Sequence, residues 1–460
     1  MTASLRIMRR LAGACAIAVF ALPAAAETLT DTLIRAYRSS PQLEQQRYLL
    51  RATDEDVAVA VSALRPSVDF QSQYSKTYRD TGFGAATTTG ASLGLVLNYT
   101  ILDGGQRHLR IGAAKEAVLA ARYGLVQQEQ SVLLAAAEAY LDLRLAVRTV
   151  DVRANNVRVI NQQLAAARDR FEVGEVTRTD VAIAQSRLAT SQSQLAAARG
   201  QVDIAREVYR LAVGELPTGT LAAPPPPPAL PANVERAQTL ALQVHPLILA
   251  GQHEVTAGRL LAEAAEADRL PSISLRSNLT YARPDTTSLG ATVTGNVPIY
   301  SGGRLSALNR QAIARAQATR SELAQTGRAV TENVGRAWAG LQIAQAQITA
   351  TRQGVTSAQL AFEGFREEAS LGARTTLDVL DAEQELLDAR TALLQAESDA
   401  QVAVYRVLTA MGLMTTDHLG LSVERYAPEA YYNLVSNAPA ISPSEQGGRL
   451  DSVLRRFGRN

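Results

Sequence analysis

The chain has 460 residues, 46 Lys and Arg against 44 Asp and Glu, a formal net charge of +2 and a single cysteine. One cysteine excludes a disulfide framework and thiol-ligated metal sites, and the near-neutral balance gives no electrostatic footprint for nucleic acid. The first 26 residues combine a basic start (Arg6, Arg9, Arg10), an apolar run from Leu11 to Leu22 and a small-residue end at Ala24-Ala25-Ala26. That pattern reads as a secretory signal peptide cut after Ala26. Only Leu11 to Ala14 separate Cys15 from Arg10, too short a run for lipobox cleavage, so Cys15 leaves with the signal. The mature chain is then cysteine-free, with 43 basic against 44 acidic residues. It contains no apolar stretch of about 18 residues, so any membrane role must come from strands.

A helix leads to Arg65-Pro66-Ser67-Val68. Val68, Phe70, Tyr74 and Tyr78 then alternate with Asp69, Gln71, Gln73 and Ser75, and Leu93, Leu95, Leu97 and Tyr99 alternate with Ser92, Gly94 and Asn98. Such alternation predicts membrane-barrel strands over about 67–78 and 91–100, joined by a polar loop from Asp80 to Gly90. From about Gly112 to Phe171 the chain is rich in Ala, Leu, Gln and Arg, strong helix formers. At 1.5 Å per residue this segment makes a rod on the order of 90 Å long. A second helix carries Val181, Leu188, Leu195, Val202 and Tyr209 at seven-residue spacing, a coiled-coil seam. Pro224 to Pro228 with Pro231 reads as a stiff extended linker.

The same order then recurs. Ser40-Pro41 and Arg65-Pro66-Ser67-Val68 return as His245-Pro246 and Leu270-Pro271-Ser272-Ile273 at an offset of 205. From Ile101-Leu102-Asp103-Gly104-Gly105, matched by Ile299-Tyr300-Ser301-Gly302-Gly303, the offset is 198 and holds through Tyr140/Trp338, Gly174/Gly372, Asp180/Asp378 and Gly214/Gly412. The seven-residue slip is placed in a strand-to-strand loop. Ile273, Leu275, Leu279 and Tyr281, then Leu289, Ala291, Val293 and Val297, predict strands over about 272–281 and 289–298 with a loop from Arg283 to Ser288. Val379, Leu386, Leu393, Ala400 and Val407 repeat the heptad seam. The expected organisation is a signal peptide (1–26), a first repeat (27–223), a linker (224–231), a second repeat (232–421) and a C-terminal tail (422–460).

Four strands cannot close a barrel, and an open edge in lipid leaves backbone groups unpaired. Three copies supply twelve strands, with the helices continuing below as a tube. The competing reading is a structural coiled-coil adaptor without a pore, which needs no lipid-facing alternation.

Two phrases carry a family resemblance. Arg170-Phe171-Glu172-Val173-Gly174-Glu175-Val176-Thr177-Arg178-Thr179-Asp180-Val181 and Leu371-Gly372-Ala373-Arg374-Thr375-Thr376-Leu377-Asp378-Val379-Leu380-Asp381 resemble the helix-turn-helix tips of the TolC family of outer-membrane channel-tunnels. Leu102-Asp103-Gly104-Gly105 and Pro298-Ile299-Tyr300-Ser301-Gly302-Gly303 resemble its strand-to-helix junctions, and the match runs from Glu27 to about Leu421. The resemblance implies a mixed α/β membrane protein: a duplicated helix-strand-strand-helix-helix unit, assembled as a trimeric 12-stranded β-barrel in the outer membrane and continued by a long α-helical coiled-coil periplasmic tunnel. It further implies a homotrimer contacting outer-membrane lipid, a periplasmic adaptor (membrane fusion) protein, and an inner-membrane transporter of ABC or RND type that hands over proteins or small toxic compounds. No cofactor, metal or nucleic acid is implied.

By the same resemblance Asp378 and Asp381 form the acidic gate at the periplasmic entrance. Three-residue spacing puts both carboxylates on one helix face, and threefold symmetry gathers them around the axis. On spacing alone they read first as a solvated acidic face continuing through Glu385. Thr179, Asp180 and Arg374 match positions that tie neighbouring helices shut, an Asp180–Arg374 ion pair being one such tie. A tyrosine expected three residues before Gly372 is replaced by Ala369, removing one link. Gly174 and Gly372 sit at the tip turns, and their apolar neighbours Val173 and Leu371 read as adaptor-docking points or as plain helix packing. Tyr140 and Trp338 read as packing, and Tyr74, Tyr78, Tyr99 and Tyr281 as interfacial belts or junction core. His108, His245, His253 and His418 show no ligand spacing, and no phosphate loop or nucleophile motif supports catalysis.

Overall fold

A computed structural model describes residues 26–80, 82–283 and 286–437. Positions 1–25 of the expected signal peptide, Cys15 among them, and positions 438–460 of the expected tail lie outside the described residues. The elements run α1 (Leu29–Ser39), α2 (Pro41–Ser62), β1 (Ser67–Asp80), β2 (Ala85–Leu102), α3 (Gln106–Glu172), α4 (Arg178–Val213), α5 (Val234–Val244), α6 (Pro246–Ala267), β3 (Ser272–Ala282), β4 (Thr286–Asn296), α7 (Arg304–Ser370), α8 (Thr376–Ala410) and α9 (Pro428–Val435).

Each pair of strands is preceded by two helices where the sequence suggested one. Pro41 and Pro246 are the cause, because proline has no N–H for the preceding turn and pushes the residue before it out of helical geometry. Ser40 (ψ 114°) and His245 (ψ 128°) are accordingly extended and cap the next helix, Ser40 through its hydroxyl to the Leu43 amide and His245 through Nδ1 to the Leu247 amide.

The four strands form one antiparallel sheet in the order β1-β2-β3-β4. Their register lines up Phe70, Leu95, Leu279 and Leu289 in a single row across the sheet. These side chains are 67%, 46%, 44% and 77% exposed, so the apolar face has no protein covering in the chain. The next row on the opposite face, Gln71, Gly94, Thr280 and Ser288, is polar. The period of two thus sorts the sheet into an apolar and a polar side.

The loops are shorter than the sequence suggested. Thr87, Thr88 and Thr89, expected in the Asp80–Gly90 loop, pair with Tyr78, Thr77 and Lys76, and β2 begins at Ala85. Threonine is β-branched and suits a strand, which outweighs the turn signal of Gly84 and Gly90. Thr286, Thr287 and Ser288 likewise belong to β4 rather than to the Arg283–Ser288 loop, and Val297 falls beyond its end. The length slip between the two halves comes mainly from strand length, 14 and 18 residues in β1 and β2 against 11 and 11 in β3 and β4, partly offset by a longer segment between β4 and α7 than between β2 and α3.

Below the sheet, α3 and α7 are each 67 residues long, about 100 Å at 1.5 Å per residue. Each doubles back into a shorter helix, α3 into α4 and α7 into α8, and α3 packs across α8 to join the two hairpins. The heptad seam of α4 is only half-buried at Val181 and Leu188 near the turn, but Leu195, Val202 and Tyr209 are buried further up. The largest core cluster gathers mid-height side chains of α1, α3, α4, α5, α7 and α8 around Tyr140 and Tyr209. Tyr140 packs there as expected, and its hydroxyl donates to the Glu27 and Ala222 carbonyls (3.0 and 2.8 Å). Buried Glu27 accepts from the Tyr209 hydroxyl, the Thr32 hydroxyl and the Thr218 amide, so the first residue after the expected cleavage point is locked into the core.

After α8 the chain returns as α9 onto α2. The Arg47 and Arg51 guanidiniums lie over the Tyr426 ring (5.4 and 5.8 Å), and the Tyr431 hydroxyl donates to Glu55 (2.7 Å). Asp54 is fully buried beside them, and burial pushes its carboxyl up to about 6. Among the described residues no helix is long and apolar enough to cross a membrane.

Candidate functional site

The free ends of the two hairpins bring the expected entrance residues together. Helix α3 ends at a left-handed glycine, Gly174 (φ 81°), and α7 ends at Gly372 (φ 78°). A side chain at either position would be strained, and the left-handed residue lets the Glu175 and Ala373 amides reach back to the Arg170 and Glu368 carbonyls (both 2.9 Å). Val173 and Leu371, just before these glycines, are 71% and 79% exposed.

Each turn then starts the next helix with the same device. Thr177 caps α4 and Asp180 closes the capping box; Thr375 caps α8 and Asp378 closes that one. Asp180 Oδ2 accepts from the Thr177 hydroxyl and amide (2.7 and 2.8 Å), and Asp378 Oδ2 from the Thr375 hydroxyl and amide (2.8 and 2.9 Å). These bonds to the charged form hold both carboxyls below the ordinary aspartate range. Each also satisfies amides left open at a helix start, where the dipole favours negative charge.

Asp180 and Arg374, read as partners from the sequence, do not meet within the chain. Arg374 Nε donates to Glu368 (2.8 Å), and its guanidinium lies 4.6 Å from the Phe365 ring centroid, so it folds back on its own hairpin. The Glu368 bond is the main reason its pKa is raised. Thr179 is exposed on the first turn of α4. Asp381 is exposed and meets the Arg187 guanidinium of α4 at 2.6 Å. One of the two expected gate carboxylates is therefore occupied in a cap and the other shares its charge with an arginine.

Near the tips, three contacts among the described residues that the sequence reading missed hold one hairpin to the other. Besides Arg187–Asp381, the Arg170 guanidinium donates to the Ala369 carbonyl (3.1 Å). The position where the resemblance led one to expect a tyrosine link is thus tied through its backbone. Deeper in, the Asn156 amide of α3 donates to Glu383 of α8 (3.1 Å). Glu383 is only 3% exposed; burial raises its pKa, partly offset by the Asn156 bond and Arg390. Asn156 Oδ1 is buried beside it without a partner. Partners 227 and 194 positions apart leave no local signal, and a carbonyl acceptor leaves none at all.

Elsewhere His253 Nδ1 lies 2.7 Å from Glu116 and stacks on Tyr123, tying α6 to α3. Among the described residues no group of three His, Cys, Asp or Glu is placed to hold a metal ion.

Comparison with known proteins agrees with this architecture. The outer membrane efflux protein family matches residues 33–215 and 238–413, one segment in each half, with the proline linker between them. The chain is 38% identical over 423 residues to the outer membrane efflux protein BepC of Brucella suis, spanning 90% of this chain and 91% of that one. It is 30% identical over 313 residues to the alkaline protease secretion protein AprF of Pseudomonas aeruginosa, 64% of each chain. Among solved structures, the CmeC outer membrane channel of Campylobacter jejuni superposes with a TM-score of 0.75 at 16% identity over 90% of both chains, which speaks for the fold. The chain belongs to the outer membrane efflux protein family, whose TolC-like members are exit ducts seated in the outer membrane.

Proposed function

We propose that three copies of the mature chain close a twelve-stranded barrel in the outer membrane, and that the tunnel below it receives cargo from an inner-membrane transporter of ABC or RND type through a periplasmic adaptor. The observation that carries this reading is the exposed apolar row Phe70-Leu95-Leu279-Leu289, which suits lipid and is unexplained in a coiled-coil adaptor. The edges β1 and β4 are both open, and four antiparallel strands per chain keep every junction antiparallel when β4 meets the next copy's β1. The names of BepC, an efflux protein, and AprF, an alkaline protease secretion protein, support both efflux and protein secretion as the work of the duct.

The proposed unit is a duplicated repeat, 27–223 and 232–421, joined by the 224–231 linker and followed by the 422–460 tail, with cleavage of the signal after residue 26. At the entrance, Asp378 and Asp381 of three chains form the acidic gate, tempered by Arg187. Thr179, Asp180 and Arg374 act in closure between neighbouring copies, since within the chain Asp180 and Arg374 are apart. Val173, Gly174, Leu371 and Gly372 form the adaptor-docking tips, supported by the exposure of the two apolar side chains. The duct performs no catalysis. Placing an arginine at Leu289 tests the lipid-facing row, because arginine on the lipid face costs about 2–4 kcal/mol at the bilayer midplane. Leu289→Arg should remove the protein from the outer-membrane fraction while Ser288→Arg, on the polar face, leaves it there; equal behaviour of the two would sink the reading.

A further inference from the structure

Midway along the tunnel the proline linker roofs a cavity of about 460 Å³ between α3, α7 and α8. Ala223, Pro224 and Pro227 form the roof, and Arg144 and Arg148 of α3 face Arg352 of α7 across it. Glu397 of α8 is the one carboxylate in the lining. Its oxygens stand 3.6 Å from Arg148 and 3.8 Å from Arg352, both longer than a hydrogen bond. Among the described residues Arg144 makes no ion pair, and none of the three guanidiniums donates a hydrogen bond. Each guanidinium offers five N–H donors in a planar fork. The cavity thus carries two positive charges beyond what Glu397 neutralises, with its donors turned to an open volume. Burial, with Arg148 close by, lowers the pKa of Arg144.

We propose that this cavity is a binding site for a periplasmic oxyanion, a phosphate or a multivalent carboxylate, held by Arg144, Arg148 and Arg352 beneath the Pro224–Pro227 roof. Paired planar forks match the two oxygens of such groups. Apolar walls from Leu141, Leu341 and Ile348 suit a ligand with a hydrocarbon body better than a bare ion. Arg144 lies about 57 Å along α3 from the strand junction at 1.5 Å per residue, beyond the reach of lipid headgroups. The ligand is therefore a free periplasmic anion or the carboxylates of the cell wall through which a periplasmic tunnel passes. Occupancy would pin the linker to α3 and α7, joining the two halves at mid-height.

Titration calorimetry of the detergent-solubilised full mature protein with citrate and with inorganic phosphate, at fixed ionic strength, tests the site. Saturable binding is expected, weakened about tenfold or more by Arg144→Gln or Arg352→Gln. Glu397→Gln should tighten it, because that change removes the resident competitor while keeping the side-chain shape. Sedimentation with purified cell-wall sacculi separates the sources: pelleting reversed by citrate identifies wall carboxylates, and citrate binding without pelleting identifies a free anion. Absence of saturable binding in both the parent and Glu397→Gln, or binding that all variants share, overturns the proposal.

Discussion

The two hairpin tips are built alike and charged differently. At the common offset of 198, Gly174 matches Gly372, Thr177 matches Thr375 and Asp180 matches Asp378, and each set makes the same turn and the same capping box. The residues around these sets diverge: Asp381, Glu383 and Arg374 stand where the first tip has Ile183, Gln185 and Val176, and Arg187 stands opposite Glu385. What the tips share is what the backbone needs to reverse direction. What they do not share is the set of charges that faces across from one hairpin to the other. Within the chain Asp378, like its match Asp180, makes a cap, and Asp381 is the carboxylate special to the second tip.

The largest effect that would sharpen this contrast is on ion block. If the proposed acidic ring forms with Asp381 as its specialised member, a trivalent cation added on the periplasmic side should block current through the reconstituted channel. Asp381→Ala should weaken that block about tenfold or more, because several carboxylates in a confined pore bind a multivalent ion together. Arg187→Gln should strengthen it by freeing Asp381 of its partner. Equal sensitivity in parent, Asp381→Ala and Arg187→Gln channels would place the constriction elsewhere.

Next comes the buried pair. Glu383 has its pKa raised in the folded state, so its contribution is most favourable at acid pH, below the unfolded value, and is lost as pH rises through the folded value. Protonated, it can also donate to the orphan Asn156 Oδ1. Glu383→Gln, which donates at every pH, should raise the melting temperature at pH 7.5 by a few degrees, on the order of 1 kcal/mol. At pH 4 the difference should vanish. A variant that is less stable than the parent at pH 7.5 would show that the carboxylate is held charged.

The smallest effect tests what the tips share. Thr177→Ala and Thr375→Ala each remove one N-cap, and each should cost about 1 kcal/mol locally. Hydrogen exchange of the first-turn amides of α4 and α8 should speed up to a similar degree. A strongly unequal response would mean that one cap is also held from outside the tip.

Much of this was readable from residue pattern. Alternation marked all four strands, and the heptads at Val181–Tyr209 and Val379–Val407 marked the coiled-coil helices, because each burial period follows directly from backbone geometry. The helix breaks at Pro41 and Pro246 and the strand character of Thr87–Thr89 were legible residue by residue but were outweighed by neighbouring signals. At the tips, position was legible and partnership was not. Asp180 and Asp378 sit where the motif put them, yet their hydrogen bonds go to threonines three residues away. Arg374 turned to Glu368, and the contacts that do span the hairpins, Arg187–Asp381, Arg170–Ala369 and Asn156–Glu383, depend on the helix packing that only the folded chain defines.

The central claim, that an open four-stranded sheet is completed by two further copies, is tested most directly by the native mass of the mature protein extracted from outer membranes in mild detergent. A single species at three times the chain mass, persisting on dilution, is the expected result. A stable monomer that still fractionates with the outer membrane would contradict it, since the unpaired edges of β1 and β4 would then lie in lipid without partners.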